Sequence, residues 1–275
     1  MSSGKKIRIS RLFHAESGRS IIIPMDHGAS VGPMPGLANM LASVRLLRCV
    51  QDLVQGLILH RGTLRHIDAS LPITGLPPRI LHFSCSTCLD PDGKSKSIVA
   101  QIEDALQMGT DAVSIHINLG VDGESEMLRD FGRVASVCDR WGMPLLAMMY
   151  VRPKGINSTK TSDIKLAARV AAEIGADMVK VSYPGSVEAM REVTEGCFIP
   201  VLVAGGELAN SPNAVIETAA GAIQGGAAGL CIGRNVFQAK RPAEVISALA
   251  QLVHPTVHLP TAARFDQPAI TQATA

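Results

Sequence analysis

Eight short β-rich runs, each followed by a longer amphipathic or alanine-rich stretch, leave this chain few folds to adopt. The runs are Ser20–Met25, Gly56–His60, Arg79–Ser84, Asp111–Ile117, Pro144–Tyr150, Asp177–Ser182, Pro200–Ala204 and Gly229–Gly233. Helical stretches such as Lys96–Met108, Glu124–Trp141, Lys165–Ile174 and Asn213–Gln224 separate them. Three junctions repeat one pattern: Met108-Gly-Thr-Asp-Ala112, Ile174-Gly-Ala-Asp-Met178 and Gln224-Gly-Gly-Ala-Ala228. In each, a glycine is expected to take the left-handed helix cap, with the next strand starting within a few residues. Strand–helix alternation makes parallel βαβ units, and eight of them close into a (β/α)8 TIM barrel. A doubly wound open sheet is the competing architecture. It is disfavoured because no G-x-G-x-x-G follows the first strand.

A chain of 275 residues, 47% of them hydrophobic, suits one large core that buries roughly 75% of the unfolded surface. The expectation is a single barrel domain over residues 1–253 and a loosely ordered extension over 254–275, where Pro255, Pro260 and Pro268 fall. A net charge of +2 argues against nucleic acid or an anionic membrane as partner. With 3% aromatic residues, there are few platforms for stacking bases. No apolar run reaches the roughly 18 to 20 residues of a membrane span. The start, Met1-Ser-Ser-Gly-Lys-Lys6, leads into no apolar signal region, so a cytoplasmic location is expected. Six cysteines are too sparse for a disulfide framework. Cys85-Ser-Thr-Cys88 has no second pair or histidine cluster to complete a metal site, and reads as two reduced thiols. No metal and no cofactor are expected.

Lys180 stands out, because Asp177-Met-Val-Lys-Val-Ser-Tyr183 is an apolar strand interrupted by one amine. A buried ammonium is costly, so a lysine held there is expected to lose its proton near neutral pH, below its ordinary value of about 10.4. A neutral amine attacks a carbonyl carbon to give a Schiff base. The competing reading is a lysine near a strand end that reaches water along its flexible stem.

A barrel carries its site at the carboxyl ends of its strands, and the unusual residues fall there. Strand 1 ends in Asp26-His-Gly-Ala-Ser30, strand 5 in Tyr150, strand 7 in Gly205-Gly206, and strand 8 in Gly233-Arg234. The two glycine turns, one followed by arginine, point to a phosphate site on the late loops. Glycine also marks turns that bind nothing. Tyr150 and Asp26 suit the proton transfers of Schiff-base chemistry; a tyrosine anchored at the rim and an aspartate capping a turn are the alternatives. His27 either contacts substrate or holds Asp26. His60, His66 and His116 lie near strand ends without metal-ligand spacing, and read as local hydrogen-bonding residues.

Taken together, these motifs carry a resemblance. Ile23-Pro-Met-Asp-His-Gly-Ala-Ser30, Leu59-His-Arg-Gly62, Ala112-Val-Ser-Ile-His116, Trp141-Gly-Met-Pro144, Ala147-Met-Met-Tyr150, Val179-Lys180, Val203-Ala-Gly-Gly206 and Gly233-Arg-Asn235 resemble the archaeal-type class I aldolases. Within that family they are most similar to the 2-amino-3,7-dideoxy-D-threo-hept-6-ulosonate synthase branch. The resemblance runs from about residue 8 to 253. It implies that Lys180 forms the Schiff base, Tyr150 donates a proton and Asp26 accepts one. It implies a substrate site formed by Asp26, His27, Gly28, Ala29, Ser30, Tyr150, Val151, Arg152 and Lys180. The phosphate site it implies is Gly205, Gly206, Gly233 and Arg234. It implies small-molecule partners, a sugar-phosphate donor and an aldehyde acceptor, in a homo-oligomer of the decameric kind built from pentameric rings.

The chain departs from the family twice. Val151-Arg152-Pro153 replaces Pro-Arg-Gly after the tyrosine, and Ser84-Cys-Ser-Thr87 puts Cys85 where glycine is usual. Neither touches Lys180, Tyr150 or Asp26, but both bear on the substrate. Three readings follow. The first adds a phosphorylated keto donor to L-aspartate semialdehyde, on a route to aromatic amino acids or aminohydroxybenzoates. The second is a class I fructose-1,6-bisphosphate aldolase, for which Arg152 and Lys154 offer a second cationic cluster. The third is a phosphosugar-binding barrel without turnover.

Overall fold

The strands are β1 (Ser20–Pro24), β2 (Gly56–Leu59), β3 (Arg79–His82), β4 (Ala112–Leu119), β5 (Leu145–Val151), β6 (Met178–Val181), β7 (Val201–Ala204) and β8 (Gly229–Cys231). Each pairs in parallel with its neighbour in sequence, and β8 closes on β1 through Ser20↔Gly229 and Ile22↔Cys231. The computed structural model describes residues 1–90, 94–152, 160–209 and 211–255. All eight expected strands are present, with boundaries displaced by at most two residues. The architecture is the expected closed parallel barrel and not the competing open sheet. Pro153 and Lys154, and the extension from residue 256 onward, lie outside the described residues.

Strand residues alternate between two environments. Ile21, Ile23, Leu57, Leu59, Val179 and Val181 face the helices, in the larger core cluster. Ile22, Ile58, Ile80, Ala112, Leu146, Met178, Leu202 and Cys231 point inward and fill the barrel. Two residues farther along β6 the same inward row reaches Lys180, and along β3 it reaches His82. The apolar plug thus becomes a polar layer at the carboxyl ends of the strands.

The opposite end is closed by a helix, Ser3–Arg11, where the sequence suggested only a short lead-in. The Ser2 hydroxyl caps it by accepting from the Lys5 amide. Leu12, fully buried, joins the inner barrel cluster. Lys5 is buried against Asp177 at 2.9 Å and Asp139 at 3.4 Å, tying the helix to the bases of the β5 and β6 units.

Helix Glu124–Trp141 has the expected bounds, and Thr161–Ile174 and Pro212–Gln224 begin slightly early. Gly109 (φ +60°) and Gly175 (φ +108°) are left-handed as expected, but after Gln224 the left-handed residue is Gly226 (φ +89°), not Gly225 (φ −77°). The stretch Lys96–Met108 is corrected: its helix spans Ile102–Gln107 only. A capping box between Gln101 and Asp104 stops it there. Upstream, Ser97–Ile98 pairs antiparallel with Ser84–Cys85, and this small hairpin carries Lys96 to the barrel mouth. Among the described residues no helix is long and apolar enough to cross a membrane.

Candidate active site

The strand ends surround a cavity of about 230 Å³, room for a small sugar phosphate rather than a nucleotide. Of the residues expected there, Asp26, His27, Ser30, Tyr150, Arg152, Lys180, Gly205, Gly206, Gly233 and Arg234 line it. Gly28, Ala29 and Val151 do not: the first two are exposed in the short helical turn Gly28–Val31, and Val151 packs against the outer core.

Lys180 is 5% exposed and reaches no bulk water, which removes the snorkelling reading. Its Nζ lies 6.0 Å from the centre of the Tyr150 ring, and both side chains line the cavity. Burial pushes the Lys180 ammonium down, but Cys231, Tyr150 and Asp26 outweigh it and hold the group above its ordinary range. The expectation of an amine neutral near pH 7 is therefore corrected. Burial without charge partners lowers a lysine, whereas this one has the Asp26 carboxylate with the Cys231 sulfur and the Tyr150 oxygen as electron-rich neighbours.

Asp26 sits just past β1 with its oxygens between two imidazoles. Oδ2 is 3.6 Å from His82 Nε2, and Oδ1 is 3.7 Å from His27 Nδ1. Burial raises the Asp26 carboxyl, but His82, His27 and Lys180 bring it down to about 2. Burial takes His82 down to about 4 against the pull of Asp26. At neutral pH the pair is a carboxylate beside an uncharged ring. Oδ1 of Asp26 and Nδ1 of His27 are buried with no hydrogen-bond partner among the described residues, so both can meet a substrate hydroxyl.

Across the cavity, Arg234 donates to the Gly206 carbonyl at 2.8 Å and bridges the loops after β7 and β8. Asn235 fixes the same loop from behind, donating to the carbonyls of Gly205 (2.8 Å) and Glu207 (2.9 Å) and accepting from the Ala209 amide (2.8 Å). The glycines are not all there for a ligand. A Cβ on Gly205 would come within 2.6 Å of Ile232, and one on Gly233 within 2.7 Å of the Pro24 carbonyl, so packing alone demands both. Gly206, at φ +68° with open space beside it, is the glycine that the turn's own backbone conformation requires.

Four functional positions escaped the sequence reading. His82 interrupts the apolar run Arg79-Ile-Leu-His-Phe83 just as Lys180 interrupts its own, and that signal could have found it. Lys96 was hidden by its assignment to a helix. Cys231 looked like core, and it is core, but it also lines the cavity with Lys180; burial pushes its thiol up to about 11, so it stays protonated at neutral pH. Asn235 was visible only as part of a motif. His116 lines the cavity with its ring centre 4.8 Å from that of Tyr150. His60 packs edge-on against His82 at 5.2 Å, outside the cavity lining.

Comparison with known proteins places this arrangement among aldolases. The DeoC/LacD family aldolase model matches residues 20–239. A Streptomyces griseus 2-amino-4,5-dihydroxy-6-oxo-7-(phosphonooxy)heptanoate synthase is 40% identical over 252 residues, 91% of this chain and 90% of that protein. An Archaeoglobus fulgidus 2-amino-3,7-dideoxy-D-threo-hept-6-ulosonate synthase is 40% identical over 262 residues, 93% of each. A solved Schiff-base-forming fructose-1,6-bisphosphate aldolase superposes with a TM-score of 0.82 at 28% identity, over 91% of this chain and all of that one.

Proposed function

The chain belongs to the DeoC/LacD family of aldolases, and from that membership we propose that it joins a phosphorylated keto donor to L-aspartate semialdehyde through a Schiff base on Lys180. One observation carries the reading: a fully enclosed lysine meets a phenol and a carboxylate in one cavity, whose far wall is an arginine-bridged pair of loops. The donor's phosphate lies against Gly206 and Arg234, which sets its carbonyl carbon toward Lys180.

The resting ammonium first gives up its proton to solvent water. The free amine adds to the donor's carbonyl carbon, and the proton this leaves in excess on nitrogen passes to the oxygen to form the carbinolamine hydroxyl. Tyr150, beside Lys180 in the cavity, protonates that hydroxyl so that water leaves and the iminium forms. Loss of a proton from the adjacent carbon gives the enamine, which attacks the acceptor aldehyde; water then hydrolyses the new iminium and frees the product. Asp26, ionised down to about pH 2, suits the counter-charge of the iminium. It takes a proton only while that positive charge is being consumed, which refines its role as acceptor.

The donor is a triose phosphate or a fragment of a longer keto-sugar phosphate. The Streptomyces relative's name describes a product that keeps a phosphonooxy group, and the Archaeoglobus relative's does not. A second reading, cleavage of fructose 1,6-bisphosphate, is favoured by one feature: Lys96 and Arg152 put further cations in the cavity.

Borohydride reduction followed by intact-mass measurement tests both. Dihydroxyacetone phosphate is expected to give an adduct on Lys180 that L-aspartate semialdehyde discharges. Release of triose phosphates from fructose 1,6-bisphosphate, without need of the semialdehyde, would move the protein to the second reading. A stable adduct at another lysine would end both, as would the lack of any adduct with dihydroxyacetone phosphate, a deoxy-diketohexose phosphate and fructose 1,6-bisphosphate.

A further inference from the structure

The donor half of the proposed reaction does not use all the charge in the cavity. Among the described residues, Lys96, Arg152, Lys180 and Arg234 line it with the carboxylate of Asp26. Asp26 balances Lys180, and the donor phosphate takes Arg234. Two cations remain on the β4–β5 side. Lys96 donates to the Ser86 hydroxyl from the base of the small hairpin. Arg152 follows β5, its backbone held by the Leu119 carbonyl at 2.9 Å and its guanidinium carbon 5.4 Å from the Tyr150 ring centre. Burial first, then Arg152, pushes the Lys96 ammonium below its ordinary range. Two cations kept this close in a half-closed cavity make a place where an anion lowers the energy.

His116 adds a different contact on the same side. Its Nε2 lies 3.0 Å from Asn118 Oδ1, and the Asn118 amide nitrogen donates to the Lys94 carbonyl. A backbone carbonyl can only accept, so the amide's orientation is fixed and Asn118 presents its oxygen to the ring. His116 Nε2 then carries the proton and Nδ1 the lone pair. Burial holds this ring well below its ordinary range, so it stays uncharged at neutral pH. A lone pair beside two cations suits a group that brings both an anion and an N–H donor. A phosphate brings oxygens only, and faces the lone pair with like polarity.

Building on the reaction proposed above, we propose that Lys96 and Arg152 hold the carboxylate of the acceptor and His116 accepts a hydrogen bond from its ammonium. This wall thereby selects α-amino acid aldehydes over phosphorylated ones.

The test loads wild type, Lys96→Met, Arg152→Met and His116→Leu with dihydroxyacetone phosphate, and times discharge of the trappable adduct. Four aldehydes are offered: L-aspartate semialdehyde, succinic semialdehyde, propanal and glyceraldehyde 3-phosphate. For the Lys96 and Arg152 variants the loss should fall on discharge by the two carboxylated aldehydes, about 10–100-fold each, the usual worth of a contact to a charged group. Discharge by propanal, scaled to the loading each variant retains, should change far less than discharge by the two carboxylated aldehydes. His116→Leu should erase the wild-type preference for aspartate semialdehyde over succinic semialdehyde. Equal losses for propanal, or no loss with any aldehyde, would overturn the subsite while leaving the donor reading intact. A phosphorylated acceptor that is preferred and equally sensitive would make this a second phosphate site instead. Failure of wild type to load any keto donor would remove the proposed function, and the subsite with it. Loading itself reports that each variant is folded.

Discussion

The Lys180 amine and the Tyr150 phenol are neighbours in one cavity, with Nζ 6.0 Å from the ring centre, on adjacent strands paired through Met148↔Lys180. In the proposed reaction this makes the two separable by mutation. Lys180→Ala should abolish borohydride trapping. Tyr150→Phe keeps the ring against His116 and should still trap the donor, while turnover falls about 10²–10⁴-fold, the range for a positioned acid–base group. Equal loss of trapping and turnover in Tyr150→Phe would count against a proton-transfer role.

The raised Lys180 ammonium sets a pH dependence. Below its pKa the reactive free amine grows about tenfold per pH unit, so the trapping rate at subsaturating donor should climb from pH 6 to 9 without levelling. Removing Asp26 withdraws one group that holds the proton on. Asp26→Asn should therefore move the profile toward lower pH. A rate that is flat above pH 7 would mean the amine is already free.

Arg234 reaches from one late loop to the Gly206 carbonyl of the other. Arg234→Ala should weaken dihydroxyacetone phosphate about 10–100-fold in kcat/KM and leave unphosphorylated dihydroxyacetone nearly unchanged. An equal loss for both donors would show that the phosphate binds elsewhere.

His82 is buried, 3% exposed, and its pKa falls from 6.5 to about 4 on folding. A group with a depressed folded pKa gives stability that is complete above the unfolded value and lost as pH falls toward the folded one. Denaturant titrations should show stability declining between about pH 6.5 and 4, by roughly 3 kcal/mol for this residue. His82→Gln should flatten that slope. Unchanged pH dependence in the variant would assign the decline to other groups.

At the far end of the barrel, Lys5 pairs with Asp177 at 2.9 Å, and both are buried. Lys5→Met leaves that carboxylate unpaired and should cost about 3–5 kcal/mol. Lys5→Met with Asp177→Asn should recover part of the loss. Thermal melts of the two variants decide whether the pair or the helix packing holds the N-terminal plug.

Strand positions were legible because short β-branched runs bounded by glycine turns have few other homes, and β/α alternation admits few topologies. Lys180, Tyr150, Asp26, Gly206 and Arg234 were legible because each follows or interrupts an apolar strand, where a polar group needs a reason. Lys96 was misplaced because a local pattern cannot foresee that Ser97–Ile98 will pair with Ser84–Cys85, a contact worth nothing until the barrel brings the two segments together. The charge on Lys180 was misjudged for a related reason. Burial can be inferred from neighbours in sequence, but the groups that opposed it, Cys231, Tyr150 and Asp26, come from three other strands. The barrel, its mouth and most of what lines it follow from periodicity and strand ends, which are local and readable residue by residue. Which side chains meet, which glycines merely pack, and where the second pair of cations stands depend on through-space distances between strands that sequence order does not encode.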